Sequence, residues 1–217
     1  MDKLIRVKAV AAPLLRSNID TDAISPGDRI LKVKKSGFAD ALFANWRLQT
    51  SENGIDEANP EFILNQEPYD SAGILLAGPN FGCGSSRETA VWALRDWGIK
   101  VVIAPSFSGI FLANCFKNGL LPLVLPFEQI QEIAEQVFQS NGQGEVLVDL
   151  QHTFVESPLG TNYPFAISEY QRQILLQGLD PISAALLYSE QIDAFQSKDK
   201  VARPWIYKYP SVRRMPE

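Results

Sequence analysis

From residue 72 onward the chain alternates short apolar runs with longer amphipathic ones, and this rhythm limits its fold more than any other feature. Residues 72–77 read as a buried strand and 86–97 as a helix; 100–104 is a β-branched strand, and 107–117 is a helix ended by Asn118-Gly119. A strand over 120–125, a helix over 128–139 and a strand over 145–150 follow. Strands interleaved with helices of this length predict an α/β core with parallel pairing, because a crossover helix brings the chain back to the same end of the sheet. Upstream, residues 4–15 open strand-like and reach Pro13, and 37–43 form a short helix. Residues 49–70 are irregular, punctuated by Asn53-Gly54 and Asn59-Pro60. Residues 167–177 and 181–195 are helical and amphipathic.

At 217 residues the pattern fits one domain, 1–197, with 198–217 as a basic and aromatic tail. Arg203, Lys208, Arg213 and Arg214 give the tail its charge, and Trp205, Tyr207 and Tyr209 would suit docking on a partner protein; a solvated tail is the plainer alternative. A net charge of -5 argues against a nucleic-acid footprint. The longest apolar run, 119–126, is far short of the ~20 residues that span a bilayer. Residues 1–6 lack the apolar core of a signal peptide, so a cytoplasmic location is expected. Two cysteines, Cys83 and Cys115, cannot supply the four thiolates of an iron–sulfur cluster or a structural zinc site. With one histidine, His152, a Ser-His-Asp triad is difficult too, so no metal site is expected within this chain. Cys115, Trp92 and Trp97 are expected in the core, Cys83 beside a site, and His152 at the surface or in packing.

The loop between the first strand–helix pair carries the chemistry. Gly82-Cys83-Gly84-Ser85-Ser86-Arg87-Glu88 joins a strand to a helix N-terminus, where free N–H groups and the helix dipole favour an anion. Arg87 stands where the dinucleotide fingerprint needs its third glycine, and the chain has no Gly-Lys followed by Ser or Thr, so both common phosphate loops are excluded. Ser85 with Glu88 fits a capping box, the structural reading of that serine. It leaves unexplained the second hydroxyl of Ser86, the flanking glycines and a cation, Arg87, where the dipole disfavours one. A site that grips a carboxylate or steadies a developing negative charge explains all three. The expectation is that Ser86 opens the helix at its first position and that both hydroxyls face the anion. On the other candidate loop, Asn18-Ile19-Asp20-Thr21-Asp22 reads as an Asx turn; as a calcium loop it would need glycine where Ala23 stands and glutamate where Arg29 stands.

Taken together, Asn18 to Ile24, Asn59-Pro60-Glu61-Phe62, Asn80 to Glu88, Pro105-Ser106-Phe107, Asn114 to Pro122 and Leu176-Gln177-Gly178-Leu179-Asp180 resemble the small subunits of 3-isopropylmalate dehydratase, in the aconitase superfamily. The matches keep the family's order from about residue 5 to about residue 195. The resemblance implies a swivelling β/β/α domain that closes over an active site built mainly by a separate large subunit, in a heterodimer or heterotetramer. It implies a [4Fe–4S] cluster on that partner, whose open iron binds the substrate's hydroxyl and a carboxylate. The reaction implied interconverts 2- and 3-isopropylmalate through an alkene, in leucine biosynthesis. By the same resemblance Ser85 is the base, as an activated alkoxide. Ser86 hydrogen-bonds substrate, Arg87 binds a carboxylate and helps stabilise Ser85, and Asp22 is the acidic residue of the other loop, orienting a partner group.

The chain departs from the family at two places. Thr89 stands where the family usually has His, and Ile24-Ser25-Pro26-Gly27 replaces Ile-Ile-Pro-Lys, with Arg29 or Lys32 as candidate substitutes for the missing cation at the substrate. A paralogous hydratase for citraconate, dimethylmaleate or another substituted maleate is therefore an alternative. A non-catalytic module that binds a dicarboxylate or a partner is another; it would have no need for a base beside the clamp.

Overall fold

Strand β1 (Arg6–Leu14) is alternately exposed in its first half and fully buried in its second, and the two halves have different neighbours. The computed structural model describes residues 1–30, 37–50 and 56–207. After β1 come two single-turn helices, α1 (Thr21–Ile24) and α2 (Gly27–Ile30). Helix α3 (Ala44–Arg47) leads into an antiparallel ribbon of β2 (Leu48–Thr50) and β3 (Asp56–Ala58). The alternating region then runs β4 (Ile74–Ala77), α4 (Glu88–Trp97), β5 (Val101–Ala104), α5 (Gly109–Lys117), β6 (Leu121–Val124), α6 (Phe127–Gln139) and β7 (Glu145–Asp149). Strands β8 (Phe154–Glu156) and β9 (Asn162–Pro164) and helix α7 (Glu169–Gln177) follow.

Seven strands form one sheet in the order β6-β5-β4-β1-β7-β8-β9. The pairs β1/β4, β4/β5 and β5/β6 are parallel, as the alternation predicts. The pairs β1/β7, β7/β8 and β8/β9 are antiparallel, which it does not predict. β1 is the hinge between the two regimes: Ala11 to Leu14 pair with β4, and Arg6 to Val10 pair with β7. Every residue of β4 and β5 is buried, the continuous apolar pattern of central parallel strands. Helix α6 packs on β1, β4 and β5 through Ile130, Ile133, Ala134 and Val137, an i, i+3, i+4, i+7 stripe. At about 25 cal/mol per Å² of apolar surface, each fully buried Leu or Ile side chain of this core contributes roughly 1.5–3 kcal/mol.

Two core assignments change. Cys115 is fully buried, as expected, and burial pushes its thiol pKa well up. Trp92 and Trp97 are only half-buried: Trp92 donates to Asn118 Oδ1 at 3.0 Å, and Trp97 lies beneath the Arg47 guanidinium at 5.0 Å. At the rim of the core the Trp92 N–H finds a polar partner and the Trp97 face a cation, although the Trp97 N–H itself has no partner among the described residues.

The chain divides into two units, Met1–Gly178 and Leu179–Glu217. The expected boundary at 197 falls inside a helix, because α9 (Ser189–Ala202) continues through it. Within the second unit α8 (Pro181–Leu186) starts on Pro181 with Asp180 as its N-cap, and only Ala184 is buried. Arg203 and Tyr207 both bind Asp199 there; Lys208, Tyr209, Arg213 and Arg214 lie outside the described residues. Among the described residues no helix is long and apolar enough to cross a membrane.

Candidate active site

Parallel neighbours send their following loops off the same edge of a sheet. β1 and β4 are such neighbours, so the loops after Leu14 and after Ala77 emerge together, at the carboxyl ends where open α/β sheets place their ligands. The two loops are laced by their backbones. Gly82 N–H donates to Ile19 O at 2.7 Å, Thr21 N–H to Cys83 O at 3.0 Å, and Asn18 N–H to Pro79 O at 2.9 Å. Asn18 and Asn80, both in left-handed conformations, join side chains at 2.8 Å. The buried Thr21 hydroxyl donates to Ser85 O at 2.7 Å. The third parallel neighbour, β5, contributes as well: Phe81 N–H donates to Ser106 O, and Ser108 N–H to Phe81 O, both at 3.0 Å.

Beneath this lacing lies an aromatic floor. Phe81 is fully buried, with its ring edge-on to Phe111 at 5.4 Å and to Phe107 at 6.2 Å. Gly82 runs directly over it at φ 71°. A Cβ at Gly82 would collide with the Phe111 ring, so glycine is required there for both space and conformation. Gly84, at φ 85°, turns the chain again before Ser85.

Helix α4 begins at Glu88, with Arg87 as its N-cap and no side-chain cap. The capping box is thereby overturned: Glu88 stands at the first helical position and its Oε1 accepts from Asn118 Nδ2 at 2.8 Å, out of reach of any reciprocal bond. The helix also opens two residues later than expected, at Glu88 instead of Ser86. Ser85 and Ser86 are both exposed, and among the described residues neither hydroxyl has a partner. Both are free to meet a ligand, beside the unsatisfied N–H groups of α4.

Arg87 Nη1 lies 2.6 Å from Asp22 Oδ1. The anion that explains a cation at this helix start is thus, in the free chain, a carboxylate of the other loop. Asp22 is available because its neighbour Asp20 takes the capping task, its Oδ1 accepting from Ala23 N–H at 2.7 Å. The expected Asx turn is accordingly the N-cap of α1. Side-chain exposures of 31% for Arg87 and 57% for Asp22 mean that water screens the pair. Exposed pairs of this kind are worth about 0–1 kcal/mol, so an incoming carboxylate can displace Asp22 at little cost.

The other candidates separate from this cluster. Arg29 is engaged by Asp56, whose hydrogen bond raises its pKa, and lies near Asp28; it is committed elsewhere in the free chain. Lys32 lies outside the described residues. Cys83 is half-buried and bridges Asp20 through its backbone. His152 is not near this edge: its backbone N–H and Nδ1 meet Asp149 at 2.8 and 3.0 Å. Two contacts escaped the sequence reading, the Thr21 hydroxyl on Ser85 O and the packing of Gly27 against Arg87. The hydroxyl between Asp20 and Asp22 was the available signal for the first; nothing local announced the second.

The donor set does not suit an iron–sulfur cluster. One of the two thiols is sealed in the core, and among the described residues no group of three or more His, Cys, Asp or Glu could hold a metal ion.

Residues 1–128 match the aconitase C-terminal domain family. The 3-isopropylmalate dehydratase small subunit of Cupriavidus necator is 49% identical over 208 residues, covering 95% of this chain and 99% of that protein. The small subunit of the same enzyme from Dechloromonas aromatica is 44% identical over 212 residues, covering 95% and 100%. The crystal structure of a 3-isopropylmalate dehydratase from Methanocaldococcus jannaschii superposes with a TM-score of 0.60 at 26% identity, covering 90% of this chain and 99% of that one.

Proposed function

This chain belongs to the 3-isopropylmalate dehydratase small-subunit family of the aconitase superfamily, and we propose that Ser85, Ser86, Arg87 and Asp22 are its contribution to the active site. It is a subunit of an aconitase-type hydro-lyase that interconverts 2- and 3-isopropylmalate by dehydration and rehydration in leucine biosynthesis. A small subunit implies a large partner. In this reading that partner carries the [4Fe–4S] cluster, which this chain's thiols cannot, and the complex works in the cytoplasm. When present, such a cluster would supply the Lewis acidity that loosens the departing hydroxyl.

The residues of this chain have the following tasks. The Arg87 guanidinium grips a substrate carboxylate by a charge-assisted pair, taking it in exchange for Asp22. Ser85 Oγ, its alkoxide favoured by the Arg87 charge and the α4 N-terminus, takes the proton from the carbon next to a carboxylate. The electron pair left by that C–H bond forms the alkene as the neighbouring C–O bond breaks, and the hydroxyl leaves as water with a proton from an acid that this reading assigns to the large subunit. Ser86 donates a hydrogen bond to the charge that gathers on the carboxylate during this step. Rehydration at the other carbon returns the Ser85 proton.

The observation that carries this reading is the 2.6 Å meeting of Arg87 with Asp22 beside two unpartnered serine hydroxyls. It is tested by co-expressing the chain with its large subunit and following alkene formation by ultraviolet absorbance. The chain alone should be colourless and inactive, and the complex active on isopropylmalate; turnover by the purified chain without a partner overturns the two-subunit reading. One observation favours a second substrate. Thr89, two residues after Arg87, stands where the family usually has His, and its buried hydroxyl has no partner among the described residues. A panel including citraconate and dimethylmaleate hydration decides between them: a higher kcat/KM on either than on isopropylmalate assigns this chain to the paralogous hydratase.

A further inference from the structure

We propose that Thr21 is a positioning residue that sets the direction of Ser85, an inference that rests on the reading of Ser85 as the base. Thr21 opens α1 and is only 2% exposed. The helix has no use for its hydroxyl, because Asp20 caps α1 by accepting from Ala23 N–H at 2.7 Å. The hydroxyl crosses instead to the other loop and donates to Ser85 O at 2.7 Å, while the Thr21 N–H donates to Cys83 O at 3.0 Å. One residue thus holds the carbonyls on both sides of Gly84, where the chain turns at φ 85°. The loop lies close against its holder: a Cβ at Gly84 would stand 3.3 Å from Asp20 Cβ and 3.9 Å from Thr21 Oγ1.

Ser85 depends on this bond for its aim. Its side chain is exposed and, among the described residues, without a partner, so its backbone alone directs it. Among those residues the Thr21 bond is also the one hydrogen bond at Gly84, Ser85 or Ser86. Without the hydroxyl, the stretch between Cys83 and the N-cap of α4 at Arg87 is free to shift. A displacement of about 1 Å at a reacting group costs on the order of a hundredfold. The cost should fall on the chemical step. The Arg87 side chain meets Asp22, not Thr21, so the carboxylate grip survives, and kcat should drop while KM holds.

The test compares Thr21→Val and Thr21→Ala, which remove the hydroxyl, with Thr21→Ser, which keeps it. Each is made in the full chain, alone and assembled with the large subunit, with Ser85 present and in a Ser85→Ala background. Because Ser85 is exposed, water can take its carbonyl, and the variants should fold. With Ser85 present, Thr21→Val should lower kcat by roughly ten- to a hundredfold at little change in KM, and Thr21→Ser should restore most of it. In the Ser85→Ala background Thr21→Val should cause no further loss, because a group that acts through Ser85 has nothing left to position. In the isolated chain the Ser85 carbonyl carbon resonance should shift in Thr21→Val and Thr21→Ala and return in Thr21→Ser. A wild-type kcat without the hydroxyl, losses that add across the two backgrounds, Thr21→Ser as slow as Thr21→Val, or an unmoved carbonyl resonance overturns the proposal. Should Ser85→Ala itself turn over at the wild-type rate, the base reading fails, and the carbonyl resonance alone decides whether Thr21 holds Ser85.

Discussion

The residues proposed to carry the chemistry of this chain have opposite structural burdens. Ser85 and Ser86 carry none: exposed and without partners among the described residues, they support no other group through their hydroxyls. Ser85→Ala should leave the melting temperature unchanged while lowering kcat of the complex by about 10²–10⁴-fold, the usual worth of a positioned acid–base group; steady-state kinetics and a melting curve check both halves. Gly82 carries a heavy burden, at φ 71° over the Phe111 ring. Gly82→Ala should destabilise the chain by roughly 1–3 kcal/mol through overpacking, read as a lowered urea midpoint. The serines and arginine of the proposed clamp could be singled out in sequence because hydroxyls and a cation between a glycine-rich turn and a helix start have few structural uses. Their partner was not. Asp22 lies on a different loop, and the Asp20-Thr21-Asp22 run alone does not say which carboxylate caps α1 and which stays free.

At the scale of elements, the β1/β7 ladder shows how pairing direction escapes local pattern. Arg6 and Asp149 stand opposite each other across it, and Arg6 Nε meets the fully buried Asp149 carboxylate at 2.6 Å. Burial raises the pKa of that carboxyl, but hydrogen bonds from His152 and Arg6 outweigh it and hold the group below its ordinary value. The sign follows: a carboxyl lowered in the folded state stabilises the fold above its unfolded pKa of about 3.9, and this contribution is lost as pH falls through the lower folded value. Asp149→Asn should cost roughly 1–3 kcal/mol at neutral pH by leaving the Arg6 guanidinium poorly matched. It should also flatten the loss of stability below about pH 4, measured by urea titration across pH. No periodicity predicted this ladder, since a strand has the same period of two whichever way its neighbour runs. β8 and β9, three residues each, are too short to show a period at all.

For the whole molecule, the division at Gly178 has a direct consequence. Among the described residues, all buried apolar residues but Ala184 lie in the first unit, so the described part of the second owes little of its order to a core of its own. A chain ending at Gly178 should fold cooperatively, with the same far-ultraviolet signature per residue as the sheet-bearing unit; loss of its cooperative melt would show that residues beyond 178 complete the core. The second unit leaves Ile182, Leu186, Phe195, Val201 and Trp205 largely exposed; the break between α8 and α9 was not read from sequence, while the unit's helical character over 181–195 was visible because amphipathic spacing is a local signal. Its start was not, because Gly178 closes α7 in a left-handed cap that reads as an ordinary helix end.

The sequence by itself determined the order and kind of the elements from β4 to β7, the loop proposed as the clamp and the family, because each is written in neighbouring residues. Burial runs choose strand or helix, and glycine, serine and arginine in succession are what the proposed clamp rests on. Only the tertiary structure decided that β1 pairs in parallel with β4 on one half and antiparallel with β7 on the other. From that pairing came the meeting of Asp22 with Arg87 and the placing of Gly27 beneath it. Those contacts join residues about sixty positions apart, and a contact at that separation is fixed by which strands share an edge, a property of the folded sheet and not of either loop.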